Sequence, residues 1–157
     1  MPKEKSAGAI IFRREDNKIY YLLLHYPSLN RRGGHWEFAK GHIEQGESDE
    51  ETIRREVKEE TGIKDVNIIP GFKQYIKYFF RQYKESVSEE DKKSAKTPWI
   101  FKLVVFYVVQ TNTKDVKISH EHIDFVWLPI DEAIKKTTFK NSKMLLEKAN
   151  DFIISKK

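Results

Sequence analysis

The chain has 157 residues, with 29 Lys and Arg against 24 Asp and Glu and no cysteine, a length that suits one domain burying roughly 70% of its unfolded surface. The missing cysteine excludes a disulfide scaffold, a thiolate zinc site and a cysteine nucleophile. Apolar runs such as residues 103–109 fall far short of the roughly 18 residues of a membrane span, and Met1-Pro2-Lys3-Glu4-Lys5 leads into no apolar leader, so a cytoplasmic protein with no membrane partner is expected.

Residues 7–12 and 19–24 read as buried strands joined by a polar turn at Asp16-Asn17. Residues 28–35, with Arg31-Arg32-Gly33-Gly34, read as a loop, and Lys40 and His42 as loop surface ahead of an acidic segment. Ser48 followed three residues on by Glu51 is a capping box and Gly62 is a stop signal, so the sequence predicts a helix over 49–61. Further strands are expected at 66–69, 72–80, 99–110 and 123–128, where β-branched and aromatic residues are enriched. The polar stretch at about 81–98 reads as a mobile insertion loop with little to bury. A short helix over 131–136 and a longer one over 141–154, with Leu145, Ala149 and Phe152 on one face, complete the chain. No repeat and no long βαβ alternation occur, so the expected class is α/β with a mixed or largely antiparallel sheet in a single domain over 1–157.

Charge is unevenly distributed. Residues 41–63 hold eight acids and three bases, a local charge of −5, which leaves +10 on the remainder. Composition alone favours an exposed, charge-laced helix, but the helical wheel argues otherwise. At roughly 100° per residue, with Ile53 at zero, Val57, Glu60 and Glu56 fall within about 60° of it and Glu59 at about 120°. Arg54, Lys58, Glu51 and Arg55 take the opposite, solvated face. Glu60 thus lies in the stripe that Ile53 and Val57 bury, where a lone carboxylate costs several kcal/mol without positive compensation. Glu56, Glu59 and Glu60, at i, i+3 and i+4, can converge on one point as hard oxygen ligands suited to Mg²⁺ or Mn²⁺.

Gly41, Glu47, Arg55-Glu56-Val57, Glu59-Glu60 and Gly62-Ile63, at these spacings, form a complete Nudix box, and the chain resembles the Nudix hydrolases. The resemblance implies an α/β/α sandwich with a mixed central sheet and metal-dependent hydrolysis of a nucleoside diphosphate linked to another group. It implies that Glu56, Glu59 and Glu60 bind Mg²⁺, with Mn²⁺ as an alternative, that Arg55 pairs with Glu47, and that Gly41 and Gly62 are structural. Three close carboxylates repel one another, which should raise some of their pKa values until metal replaces the shared proton, so activity is expected to rise with pH.

Outside the box, residues 7–14, His35-Trp36 with Lys40-Gly41-His42, Gly71-Phe72-Lys73 with Tyr78, and Ser119-His120-Glu121-His122 with Trp127-Leu128 are similar to the asymmetrical diadenosine tetraphosphate hydrolases. That likeness implies cleavage to ATP and AMP. It implies that Lys40 and His42 touch phosphates, that Tyr78 and Phe125 stack an adenine, and that Glu121 joins Glu56 and Glu59 in catalysis by supporting the attacking water or a further metal. A core role suits Tyr78 as well as a base platform does. The His120-x-His122 spacing is set aside as a transition-metal site because hard ligands already line the cleft. Where the subfamily usually carries proline after tryptophan, this chain has Glu37-Phe38-Ala39. Alternative functions are removal of pyrophosphate from an RNA 5′ end, hydrolysis of a nucleotide sugar or NTP, and a non-catalytic nucleotide-binding module. Oligomeric state is left open by the sequence.

Overall fold

The computed structural model describes residues 3–28, 32–81 and 99–156. The elements in chain order are β1 (Lys3–Glu15), β2 (Lys18–Tyr26), β3 (His35–Glu37), β4 (Ala39–His42), α1 (Asp49–Thr61), β5 (Asn67–Ile68), β6 (Gln74–Arg81), β7 (Trp99–Gln110), β8 (Asp124–Leu128), α2 (Ile130–Lys136) and α3 (Lys140–Ser155). Apart from Arg81, the stretch expected as an insertion loop lies outside the described residues.

Strand periodicity sets the layering. Along β1, Ala7, Ala9 and Ile11 enter one core with Ile53 and Val57 of α1. Ile10 and Phe12 enter a second core with Leu145, Leu146 and Ala149 of α3. The same alternation separates Leu22 and Leu24 from Tyr21 and Leu23, and Val105 and Val109 from Val104, Phe106 and Val108. Strands buried on both faces need nearly continuous apolar runs, which is how these segments read in the sequence. All described strands join one sheet, with β1 parallel to β7 and antiparallel to β2 and β4. β7 pairs antiparallel with β5 and β6, and β2 with β3 and β8. The result is the expected α/β/α sandwich with a mixed central sheet: α1 covers one face, α2 and α3 the other. No described helix is long and apolar enough to cross a membrane.

Local chemistry explains the best-defined boundaries. Asp16 and Asn17 have φ of 49° and 65° and close the β1–β2 hairpin, in which Glu15 faces Lys18. Asp and Asn tolerate this left-handed geometry, which a two-residue type I′ hairpin requires at both central positions. In α1, the Ser48 hydroxyl accepts from the Glu51 amide and the Glu51 side chain reaches back to Ser48. Gly62, at φ 76°, donates its N–H to the Lys58 carbonyl and ends the helix.

Two strands were not expected. β3 and β4 stand where the sequence signals no strand, so Lys40 and His42 are strand residues, facing Gly8 and Ser6 of β1 across the ladder. Runs of three and four residues are too short to display a period of two, and glycine and histidine carry no β signal.

Candidate active site

Arg55 ties the start of the site together. Its Nε and Nη2 donate to the two Glu47 oxygens at 2.7 and 2.9 Å, Nη2 also donates to the His42 carbonyl at 2.9 Å, and Nη1 donates to Glu56 at 2.6 Å. One guanidinium thus joins β4, the β4–α1 loop and α1, using a planar fork that a point charge cannot imitate. The Arg55 guanidinium beside Glu47 holds that carboxyl down to about 2. The wheel assigned Arg55 to the solvated face, but its side chain folds back and is only 24% exposed. A wheel gives the direction of Cα–Cβ, and a long side chain can curl around the helix from there.

Glu56 sits directly on the backbone of β4. A Cβ on Gly41 would overlap the Glu56 carboxyl carbon and both its oxygens, so this glycine makes room for the carboxylate. Its structural role is close approach on a strand. Burial pushes the Glu56 carboxyl up to about 7; the Arg55 hydrogen bond opposes that rise and the adjacent Glu60 adds to it.

Glu60 is 4% exposed, as its place in the apolar stripe predicts. The Tyr26 hydroxyl lies 3.1 Å from Glu60 Oε2 and 3.0 Å from the Phe38 carbonyl, and it can donate to either. Burial, and then the Glu60 charge, hold the Tyr26 phenol well above its ordinary pKa, so it remains a donor. On the other side, His122 Nε2 approaches Glu60 Oε2 to 3.4 Å, too poorly aligned for a hydrogen bond. His122 Nδ1 is 2.9 Å from Ser119 Oγ.

Glu59 stands apart, with 59% of its side chain exposed and Oε2 3.5 Å from Arg55 Nη1. Glu56 and Glu60 are therefore brought together with Glu59 on the rim. Among the described residues, no three Asp, Glu or His side chains already form a metal-holding group. Each box carboxylate is instead engaged by Arg55 or Tyr26.

The remaining expected residues occupy both faces of the sheet. Ala39 and Gly41 of β4 face α1, so strand alternation turns Lys40 and His42 toward the α3 side. There Lys40 Nζ lies 5.8 Å from the centroid of the Tyr78 ring. Tyr78 packs against the α3-side core, and burial, helped by the Glu37 charge, pushes its phenol up to about 12. Phe125 packs against the α1-side core, so the two rings expected to stack an adenine rest on different cores. Glu121 is exposed at the turn before β8, and its charge is felt at Tyr26.

Sequence reasoning missed three participants: Tyr26, His122 as a neighbour of Glu60, and Glu37, buried with its oxygens taken by Ser142 Oγ at 2.6 Å and the Phe38 amide at 3.1 Å. Glu37 and His122 were conspicuous as residues, but their contacts span 105 and 62 positions, and no local pattern encodes those.

A family profile described as NUDIX domain matches residues 2–148. The chain belongs to the Nudix family. It is 32% identical to the asymmetrical bis(5′-nucleosyl)-tetraphosphatase of Mus musculus, with 96% of each chain covered. It is 31% identical to the protein so described from Caenorhabditis elegans, covering 95% of this chain and 96% of the relative. A crystal structure of a C. elegans Ap4A hydrolase binary complex superimposes with a TM-score of 0.76 at 27% identity, covering 97% of this chain and 98% of that one. An RNA pyrophosphohydrolase of Sulfurovum is 25% identical over 94% of this chain and 90% of its own.

As a Nudix hydrolase this protein acts on nucleotide substrates, and its family generally uses divalent cations. The donors here suit such an ion. They are carboxylate oxygens, two of them side by side, and one carboxyl keeps a proton near neutral pH that a cation can displace. The cradle that Gly41 leaves open fixes where the Glu56 oxygens sit.

Proposed function

We propose that this Nudix hydrolase cleaves dinucleoside polyphosphates, taking diadenosine tetraphosphate to ATP and AMP with Mg²⁺ or Mn²⁺ held by Glu56, Glu59 and Glu60. The observation that carries this reading is the Glu56 carboxyl seated on Gly41 against Glu60, in a chain that aligns over 96% of its length with an asymmetrical tetraphosphatase. When bound, such an ion neutralises phosphate oxygens and eases deprotonation of water.

The protein's own residues position the reactants. Arg55 keeps Glu56 and Glu47 in place. Lys40 and His42, on the opposite face of β4, hold the phosphate chain by charge-assisted contacts. Tyr78 and Phe125, which rest on different cores, are the rings that stack adenine. Glu121 supports the water that attacks phosphorus or a further cation. The whole chain, 1–157, works as one domain in the cytoplasm.

The test is turnover on diadenosine tetraphosphate, short 5′-triphosphate RNA, ADP-ribose and dNTPs, with products identified. Diadenosine tetraphosphate should be the best substrate and give ATP and AMP; if it is the poorest, the reading is wrong. The RNA 5′ end is the second reading, favoured by the +10 charge outside the box and by the Sulfurovum relative.

A further inference from the structure

A run of buried hydrogen bonds reaches Glu60 from the far side of the sheet. Ser142 Oγ, on α3, donates to Glu37 Oε2 at 2.6 Å, and Glu37 Oε1 accepts from the Phe38 amide at 3.1 Å. The Phe38 carbonyl and Glu60 Oε2 then face the Tyr26 hydroxyl at 3.0 and 3.1 Å. Glu37, Phe38 and Ser142 are at most 1% exposed and Glu60 4%. Both Glu37 oxygens accept from neutral donors, an arrangement that a glutamine, with one oxygen and an NH₂ group, does not reproduce.

The Tyr26 ring is wedged. It stacks on His35 at 5.2 Å between centroids with an interplanar angle of 7°, and it meets His122 edge-on at 4.5 Å. Its hydroxyl therefore cannot leave Glu60 without breaking two ring contacts. A phenol has a single proton to share between its two acceptors, so the placement of Phe38 governs how firmly Glu60 is held. Glu37 holds Phe38 at its amide, in the same residue whose carbonyl faces Tyr26.

We infer that Tyr26, itself set by Glu37, is a positioning residue that orients the Glu60 carboxylate for a divalent cation. This rests on the reading of Glu60 as a ligand. Groups that orient a ligand typically affect metal affinity 10- to 100-fold.

The test is Mn²⁺ affinity of the substrate-free protein, measured by electron paramagnetic resonance beside the melting temperature, for wild type, Tyr26→Phe, Glu37→Gln, the double variant and Glu60→Gln. Tyr26→Phe keeps the ring and should weaken Mn²⁺ about tenfold. Glu37→Gln keeps an acceptor for one of its two donors and should shift Mn²⁺ affinity by less than Tyr26→Phe does, and the double variant should match Tyr26→Phe alone, because both act through one hydroxyl. Variants that melt lower yet bind Mn²⁺ like wild type, or effects that simply add, overturn the inference. If Glu60→Gln also leaves Mn²⁺ binding unchanged, the ligand reading falls and takes this inference with it. If Glu60→Gln weakens binding and Tyr26→Phe does not, only the positioning role falls.

Discussion

The carboxyl group of Glu56 occupies the space a side chain on Gly41 would need. Gly41→Ala should therefore displace Glu56, and because the group that must move is the far end of a flexible side chain, the fold should tolerate it. We expect kcat/KM to fall by at least about 100-fold, about 2.7 kcal/mol of transition-state stabilisation, with a melting temperature within a few degrees of wild type. Steady-state kinetics and a thermal melt check this together, and full activity in the variant would mean that the Glu56 position is unimportant.

Arg55→Lys separates charge from geometry. Lysine keeps the positive charge but cannot serve both Glu47 oxygens while also reaching the His42 carbonyl and Glu56. Losing charge-assisted bonds of roughly 1.5–3 kcal/mol each should lower both kcat/KM, by about 10- to 100-fold, and the melting temperature. Retention of wild-type kinetics would assign Arg55 no more than a charge.

How much of this arrangement was legible in the sequence depended on the range of each interaction. The bounds of α1 follow from Ser48, Glu51 and Gly62, whose capping chemistry is complete within the segment. The two cores follow from the doubly apolar runs of β1, β2 and β7. The burial of Glu60 follows from the helical period, and the Arg55–Glu47 pair was implied by resemblance. β3 and β4 were hidden because their pairing with β2 and β1 defines them more than their own residues do. The Tyr26–Glu60 contact spans 34 positions, and the placement of Tyr78 and Phe125 on different cores depends on the parity of two strands in the finished sheet. Neither is a property of any local window.

Acid stability of the metal-free protein offers a separate check. Glu56 titrates at about 7 when folded against an ordinary 4.5. Between those values the folded state binds more protons than the unfolded chain, so this group makes stability fall as pH rises from about 4.5 to 7. Glu47, held at about 2, works in the opposite sense, losing its contribution as pH falls from about 4.5 through 2, and so leaves that window clear. Denaturant melts in chelator should show the decline across pH 5–7, and Glu56→Gln should flatten it while abolishing turnover. An unchanged slope in the variant would mean that another group is responsible.

Glu59→Gln addresses the carboxylate on the rim. With 59% of that side chain exposed and only a 3.5 Å contact to Arg55, its replacement should leave the melting temperature nearly unaltered. If Glu59 takes part in holding the cation, kcat should nevertheless drop by orders of magnitude. A variant with near-normal kcat would remove Glu59 from the catalytic set.

The most direct measurement is anomalous diffraction from crystals soaked in Mn²⁺. A peak is expected beside the Gly41 cradle, within coordination distance of Glu56 and Glu60 oxygens, with Glu59 turned inward from Arg55 to join them. Saturating Mn²⁺ with no peak there, and Glu56 still paired to Arg55 while Glu59 faces solvent, would contradict it.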